Sequence, residues 1–335
     1  MRPAHVCGLD CRIDFHTHIV VDVPDFAGKF GDPRWPTFHA DGERRHLIRD
    51  GRAVRSLTAS SWSPRQRIED MDAAGIVHQV LSPIPPMICD WAAAGPATEW
   101  AERINAAVAD IVSAHPRRFS GLGTVPLHHP DAAVAVLHRA HQAGLSGVEI
   151  GTTAGSRELD HLDLREFFCA AEELEMLIFV HPLILGTRSQ WTDRIVGAAA
   201  TFGLSMGTDT AIAATRLAFG GVTRKCPGLR ICLAHGGGTF FWALPRISRL
   251  WDATNDATAA DLVQNIYADT VVYRDANLHF LRSQLGPHRM VFGTDYPLPA
   301  HDDLSGSMLS GLGLTDARLV GTDTAARLLN VPIGH

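Results

Sequence analysis

Arg12-Ile13-Asp14-Phe15-His16-Thr17-His18-Ile19 reads as a buried strand that ends in two histidines. Side chains alternate faces along a strand, so His16 and His18 turn to the same side. Further short apolar runs follow at Val77 to Ser82, Gly121 to Leu127, Gly147 to Gly151, Leu177 to His181, Leu229 to His235, Ile266 to Thr270 and Met290 to Asp295. Their near-continuous hydrophobicity is that of parallel strands covered on both faces. Amphipathic stretches with helix punctuation lie between them. Ser63-Pro64 opens one that carries Ile68 and Met71 and stops at Gly75, and Pro130 and Gly144 bracket another. This alternation predicts an α/β fold, and about eight such units predict a (β/α)8 TIM barrel. Residues 1–335 are expected to form that single domain. A doubly wound open sheet is the alternative. It loses ground because no G-x-G-x-x-G follows the first strand and Gly236-Gly237-Gly238 lacks that spacing.

Composition narrows the partners. With 46% hydrophobic and 20% charged residues the chain can bury a full core. Its formal net charge of −6 offers no basic field for nucleic acid or an acidic membrane, which leaves small molecules as the expected ligands. No apolar run approaches the ~20 residues of a membrane helix. Met1 to Asp10 lacks the regions of a signal peptide, so a cytoplasmic location is expected. Six cysteines spread along the chain do not make a disulfide framework, and Cys7 and Cys11 lack a second metal-spaced pair. Reduced, structural thiols are expected.

One segment breaks the rhythm. Residues 21–62 run through Gly, Pro and aromatic residues, including Phe30-Gly31-Asp32-Pro33-Arg34-Trp35-Pro36, before the first helix begins. The insertion leaves the C-terminal end of the first strand, where barrel active sites lie. It is expected to form a flap over the site. Trp35, Phe38 and Trp62 argue against a disordered excursion.

A His-x-His pair at one strand end is weak evidence taken alone. It has company here: Leu177-Ile178-Phe179-Val180 ends in His181, Ile231-Cys232-Leu233-Ala234 ends in His235, and Val291-Phe292-Gly293-Thr294 ends in Asp295. Three or more histidines and an aspartate at one rim of a barrel are what a catalytic zinc site with an open position needs. His128-His129, ahead of Pro130, read as loop residues, and His138 and His141 as solvated helix residues.

At these residues the chain resembles the aminocarboxymuconate-semialdehyde decarboxylase branch of the amidohydrolase superfamily, over nearly its whole length. The stretches that carry the likeness are Ile13-Asp14-Phe15-His16-Thr17-His18, Ala234-His235-Gly236-Gly237-Gly238 and Phe292-Gly293-Thr294-Asp295-Tyr296-Pro297, supported by Arg67-Ile68-Glu69-Asp70-Met71-Asp72. The resemblance implies that His16, His18, His181 and Asp295 ligate one metal, with His235 beside its bound water as base. It also implies that Arg55 and Arg246 bind the substrate carboxylate, and that Arg246 reaches into the neighbouring site of a homodimer. Related aromatic-acid decarboxylases often carry a glutamate where His16 stands. Glu149 stands where the family usually has glutamine, either as an acceptor behind the ligands or as a packed carboxylate. Leu183 replaces the usual tryptophan, Leu183 to Trp191 has lost the usual pattern, and Met206-Gly207-Thr208-Asp209-Thr210 only approximates its counterpart.

Binuclear relatives bridge two metals with a carboxylated lysine. The only lysines are Lys29, in the insertion, and Lys225, and neither ends a strand. One divalent ion is therefore expected, zinc first and manganese as the alternative, with no organic cofactor. Such an ion makes hydroxide available near neutrality and an imidazole takes the proton. Hydrolysis and decarboxylation share that start. A guanidinium fork suits a carboxylate held while its bond to carbon breaks, and the resemblance then implies nonoxidative decarboxylation of an aminocarboxymuconate semialdehyde or a related amino- or hydroxy-substituted unsaturated or aromatic carboxylic acid. Whether His235 or Asp295 delivers the proton stays open at this level. So do two rivals, a hydrolase or hydratase with the same metal water and a noncatalytic metal-binding barrel.

Overall fold

The computed structural model describes residues 11–183, 194–195 and 197–331. All of the expected apolar runs form strands: β1 (Arg12–Ile19), β5 (Ile76–Pro83), β6 (Phe119–Thr124), β7 (Gly147–Ile150), β8 (Leu177–Val180), β9 (Ile231–Leu233), β10 (Ile266–Asp269) and β11 (Met290–Val291). They pair in parallel, in the order β1-β5-β6-β7-β8-β9-β10-β11. The last strand returns to the first: the Phe15 amide donates to the Phe292 carbonyl and the His18 amide to the Tyr296 carbonyl, each at 2.8 Å. The sheet is thus a (β/α)8 barrel rather than an open doubly wound sheet.

Several strands are shorter than their apolar runs. β9 stops at Leu233 and β11 at Val291, and beyond them His235 and Asp295 take φ of 56° and 66°, although the Asp295 amide still donates to the His16 carbonyl of β1 at 2.8 Å. Ile13, Phe15, Val80, Leu122, Leu177, Phe179 and Cys232 fill the barrel's interior. Each such large side chain contributes about 1.5–3 kcal/mol by burial. A larger apolar layer joins the strands to the helices, with Met71, Ile104, Phe167 and Leu217 all buried.

The helix Pro64–Ala74 forms as its caps require: Ser63 Oγ accepts from the Gln66 amide and Gly75 ends the helix with φ of 73°. Its Arg67 is wholly buried and donates to the His18 carbonyl at 2.8 Å, Thr17 Oγ1 at 2.8 Å and the Ser60 carbonyl at 3.0 Å. Burial lowers its pKa to about 10, still far above neutrality, so a charged fork fixes the end of β1.

The insertion is folded. A short helix, Phe26–Phe30, leads into an antiparallel sheet of β2 (Thr37–Asp41), β3 (Arg44–Arg49) and β4 (Arg52–Leu57). Phe26 and Trp35 are buried against Trp100, with ring centroids 4.9 and 5.1 Å from it. Aromatic burial anchors this segment, and where it rejoins the barrel the Ser61 carbonyl accepts from the Val20 amide at 2.7 Å.

The cysteine expectation needs one correction. Cys89, Cys169, Cys226 and Cys232 are free, but Cys11 is disulfide-bonded, while Cys7 lies outside the described residues. Bridging depends on the approach and direction of two Cβ atoms, which overall cysteine density does not reveal. Among the described residues no helix is long and apolar enough to cross a membrane.

Candidate active site

His16 and His18 project from the end of β1, His181 follows β8 and Asp295 lies beyond β11. One donor atom from each lies within 4.8 Å of all the others, and all four residues are buried. The imidazole orientations share one logic. His16 Nδ1 is 2.6 Å from Asp269 Oδ2, His18 Nδ1 is 3.3 Å from the Pro83 carbonyl and His181 Nδ1 is 3.0 Å from the Pro182 carbonyl. Acceptors at Nδ1 place the N–H there and leave the Nε2 lone pair to face the cluster. His16 Nε2 and His18 Nε2 stand 3.1 Å apart, and His18 Nε2 is 3.1 Å from Asp295 Oδ1. His181 Nε2 and Asp295 Oδ1 are buried without a hydrogen-bond partner. Lone pairs converging on one point, two of them orphaned, are the pattern that a divalent ion satisfies.

Charge supports the same reading. Burial and the neighbouring histidines hold the His181 pKa well below its ordinary value, so its imidazole is neutral as a ligand must be. Burial alone would raise Asp295, but His16, His18 and His235 outweigh it and keep the carboxylate ionised. His235 stands at the cavity side of the cluster, with Nε2 3.7 Å from Asp295 Oδ2. Burial opposes its protonation, yet the Asp295 carboxylate prevails and raises its pKa.

Asp269, at the end of β10, is the residue that sequence reading missed. It accepts from His16 Nδ1 and from the amides of His235 at 3.0 Å, Gly236 at 2.9 Å and Val271 at 3.0 Å. One carboxylate therefore orients a ligand and holds the turn that presents His235 at positive φ, a conformation costing about 1–3 kcal/mol. The available signal was an acid ending the seventh apolar run, in the place that Asp295 occupies after the eighth. Two glycines of the motifs have steric reasons. A Cβ at Gly238 would overlap the backbone of Gly207, and one at Gly293 would lie 2.7 Å from His16 Cβ.

Glu149 is wholly buried at the end of β7, with oxygens 3.7 Å from His18 Nδ1 and 3.9 Å from His181 Nδ1. Burial pushes its pKa up to about 7. His128 and His129 point instead to the Ala92 carbonyl, at 2.7 and 2.9 Å, and belong to a loop. Lys29 pairs with Glu99 on the surface, and Lys225 ends a short helix, so neither lies among the ligands.

The cluster opens into a cavity of about 800 Å³, lined by His181, His235, Asp295 and Arg55 at its polar side. Arg55 comes from β4 of the insertion, and its Nε is buried without a hydrogen-bond partner. Burial lowers its pKa against the pull of Asp295. Arg246 is not among the lining residues; it is exposed on the helix Phe240–Asp252. Thus the structure brings together six of the seven expected site residues and leaves Arg246 facing outward. Leu183 lies beside Gly151, whereas residues 184–193, including Trp191, lie outside the described residues.

A cluster able to hold a divalent metal at the rim of a parallel barrel, facing a cavity with a half-buried guanidinium, is an amidohydrolase-type site. The amidohydrolase family model matches residues 13–331, and the chain belongs to that family. Within it, the chain falls in the aminocarboxymuconate-semialdehyde decarboxylase-like branch. It is 29% identical over 316 residues to the 2-amino-3-carboxymuconate-6-semialdehyde decarboxylase of Dictyostelium discoideum, covering 90% of this chain and 86% of that protein. It is 28% identical over 252 residues to the gamma-resorcylate decarboxylase of Rhodococcus jostii (strain RHA1), covering 69% and 76%. Among solved structures, the apo form of Metarhizium anisopliae IDCase superposes with a TM-score of 0.79 at 25% identity, covering 97% of this chain and 98% of that one.

Proposed function

We propose that this chain is a metal-dependent, nonoxidative decarboxylase of an amino- or hydroxy-substituted unsaturated or aromatic carboxylic acid, an aminocarboxymuconate semialdehyde included. The observation that carries the reading is Arg55: a half-buried guanidinium whose buried Nε has no hydrogen-bond partner among the described residues, facing the same cavity as the ligand cluster. A half-buried cation with no ion pair among the described residues suits a carboxylate by its chemistry. The named activities of the relatives in Dictyostelium and Rhodococcus support the same class.

His16, His18, His181 and Asp295 would hold one divalent ion, zinc by the softness of three imidazoles and a carboxylate, with manganese as the alternative. When bound, the ion supplies positive charge against the negative charge that develops as the carbon–carbon bond breaks. Arg55 grips the departing carboxylate and orients it, while the apolar walls exclude water and strengthen that contact. His235 holds a proton beside Asp295 and delivers it to the carbon bearing the carboxylate. The bond to that carboxylate then breaks, its electron pair restores conjugation in the framework, and carbon dioxide leaves.

The active unit is a homodimer in this reading. Arg246 shares its exposed helix face with Trp242 and Leu250, which are 77% and 64% exposed, a surface whose apolar area favours a second copy. The partner's Arg246 would complete the carboxylate clamp begun by Arg55. The test is release of labelled carbon dioxide from carboxyl-labelled semialdehyde and ortho-substituted aromatic acids by zinc-loaded protein. Labelled gas at a protein-dependent rate is expected. A product that keeps the label and gains water would make the protein a hydratase or hydrolase, and no turnover of any acid would leave a noncatalytic barrel.

A further inference from the structure

Away from the cavity, two free cysteines meet in the helical layer. Cys169 lies on the helix Arg165–Glu173, which leads into β8, and Cys226 follows the short helix Val222–Lys225, ahead of β9. Their Sγ atoms stand 3.0 Å apart. A disulfide has sulfurs at about 2.05 Å, so closing this contact takes a shift of about 1 Å. The backbone around the pair is already tied. The Glu172 carboxylate accepts from the Gly228 amide, the Cys226 amide donates to the Val222 carbonyl at 2.9 Å, and the Cys226 carbonyl accepts from the Leu229 amide at 3.1 Å. Cys169 is half-buried whereas Cys89, Cys226 and Cys232 are buried, so among the described free thiols Cys169 is the one that an oxidant reaches.

We propose that Cys169 and Cys226 are a modification site: oxidised by a low-molecular-weight disulfide, they form an intramolecular bridge that clamps the helix Arg165–Glu173 to the turn entering β9. The Cys169 thiolate attacks one sulfur of glutathione disulfide and expels a glutathione thiolate, which leaves a mixed disulfide on Cys169. Cys226 then loses its proton and attacks Cys169 Sγ, the second glutathione leaves, and the two departing thiolates take up the two protons. Two protein thiols are thereby oxidised, and one glutathione disulfide is reduced to two glutathiones. Burial, reinforced by the hydrogen bond with Cys169, pushes the Cys226 thiol up to about 12, which makes the second step the slow one. The bridge ties residues 57 apart in the chain, so it restricts the unfolded state more than the folded one. It lies away from the ligand rim, because Cys226 precedes β9 whereas His235 follows it.

The experiment is incubation of the unaltered protein with glutathione disulfide, followed by tryptic mass mapping without reductant and by thermal unfolding. A peptide pair joining residues 166–188 to residues 226–230 is expected, together with the loss of two free thiols. The unfolding midpoint of the oxidised protein should stand about 3–8 °C above that of the untreated protein. Cys226→Ser should stop at a glutathione adduct on Cys169, and Cys169→Ser should form no bridge and show no rise. Thiols that resist the reagent, a glutathione adduct on the unaltered protein with no joined peptides, or a bridge that leaves the midpoint unmoved each overturns the proposal. The unaltered protein decides the matter even where Cys226→Ser, at a buried position, does not fold.

Discussion

At the inner end of the cavity every metal-facing imidazole is braced through Nδ1, and the bracing groups are a carboxylate or backbone carbonyls of the barrel. At the outer end Phe202, Trp242 and Tyr273 are exposed and come from a helical segment, a helix N-terminus and a loop. The inner region is fixed by strand ends that the closed sheet holds at set distances. The outer region is contributed by elements that vary without disturbing the ladder. The ligand cluster and His235 therefore sit apart from the exposed outer wall, and substitutions in the two regions should fail in different ways.

The largest effect is expected from the ligands. His181→Ala should lower metal content from about one ion per chain and reduce carbon dioxide release to background. Elemental analysis checks both variant and parent, and two tightly held ions in the parent would break the mononuclear assignment. His235→Ala should keep the metal yet lose about 10²–10⁴-fold in turnover, since it moves a proton without ligating. If the metal leaves with that substitution, His235 belongs among the ligands.

The arginines test the border between the two regions. Arg55→Ala and Arg246→Ala should each lose about 10²-fold or more, because either leaves the carboxylate with half its clamp. Coexpressed with different tags and isolated as the doubly tagged hybrid, the pair should recover up to about half of normal activity. One site then lacks both arginines while the other is whole. Hybrids as inactive as both parents would exclude a shared site.

Smaller effects sharpen the contrast. Asp269→Asn keeps the shape of the site but weakens the brace on His16, so metal affinity should fall about 10- to 100-fold in a chelator competition. An unchanged affinity would reduce Asp269 to a backbone support. Lys29→Ala removes an exposed pair with Glu99 on the outer insertion and should change stability by about 0–1 kcal/mol in denaturant titration. A larger loss would mean that charge, and not the burial of Phe26 and Trp35, anchors the insertion.

The barrel was legible because period and punctuation are local. Each apolar run is bounded by its own polar or turn residues, and His16 and His18 share a face through strand periodicity alone. His181, His235 and Asp295 were legible for the same reason, as polar residues following apolar runs. Closure of β11 on β1, the role of Asp269 and the reach of Arg55 were not local facts. His16 and Asp269 are 253 residues apart in the chain, and only the closed barrel brings their side chains to 2.6 Å. Arg55 sits in an insertion whose direction depends on aromatic packing against Trp100, a contact that no spacing encodes. The sequence by itself determined which residues stand at the strand ends. The tertiary structure decided which of them meet and which way each imidazole faces, because those depend on distances set by sheet closure and hydrogen bonds between distant segments.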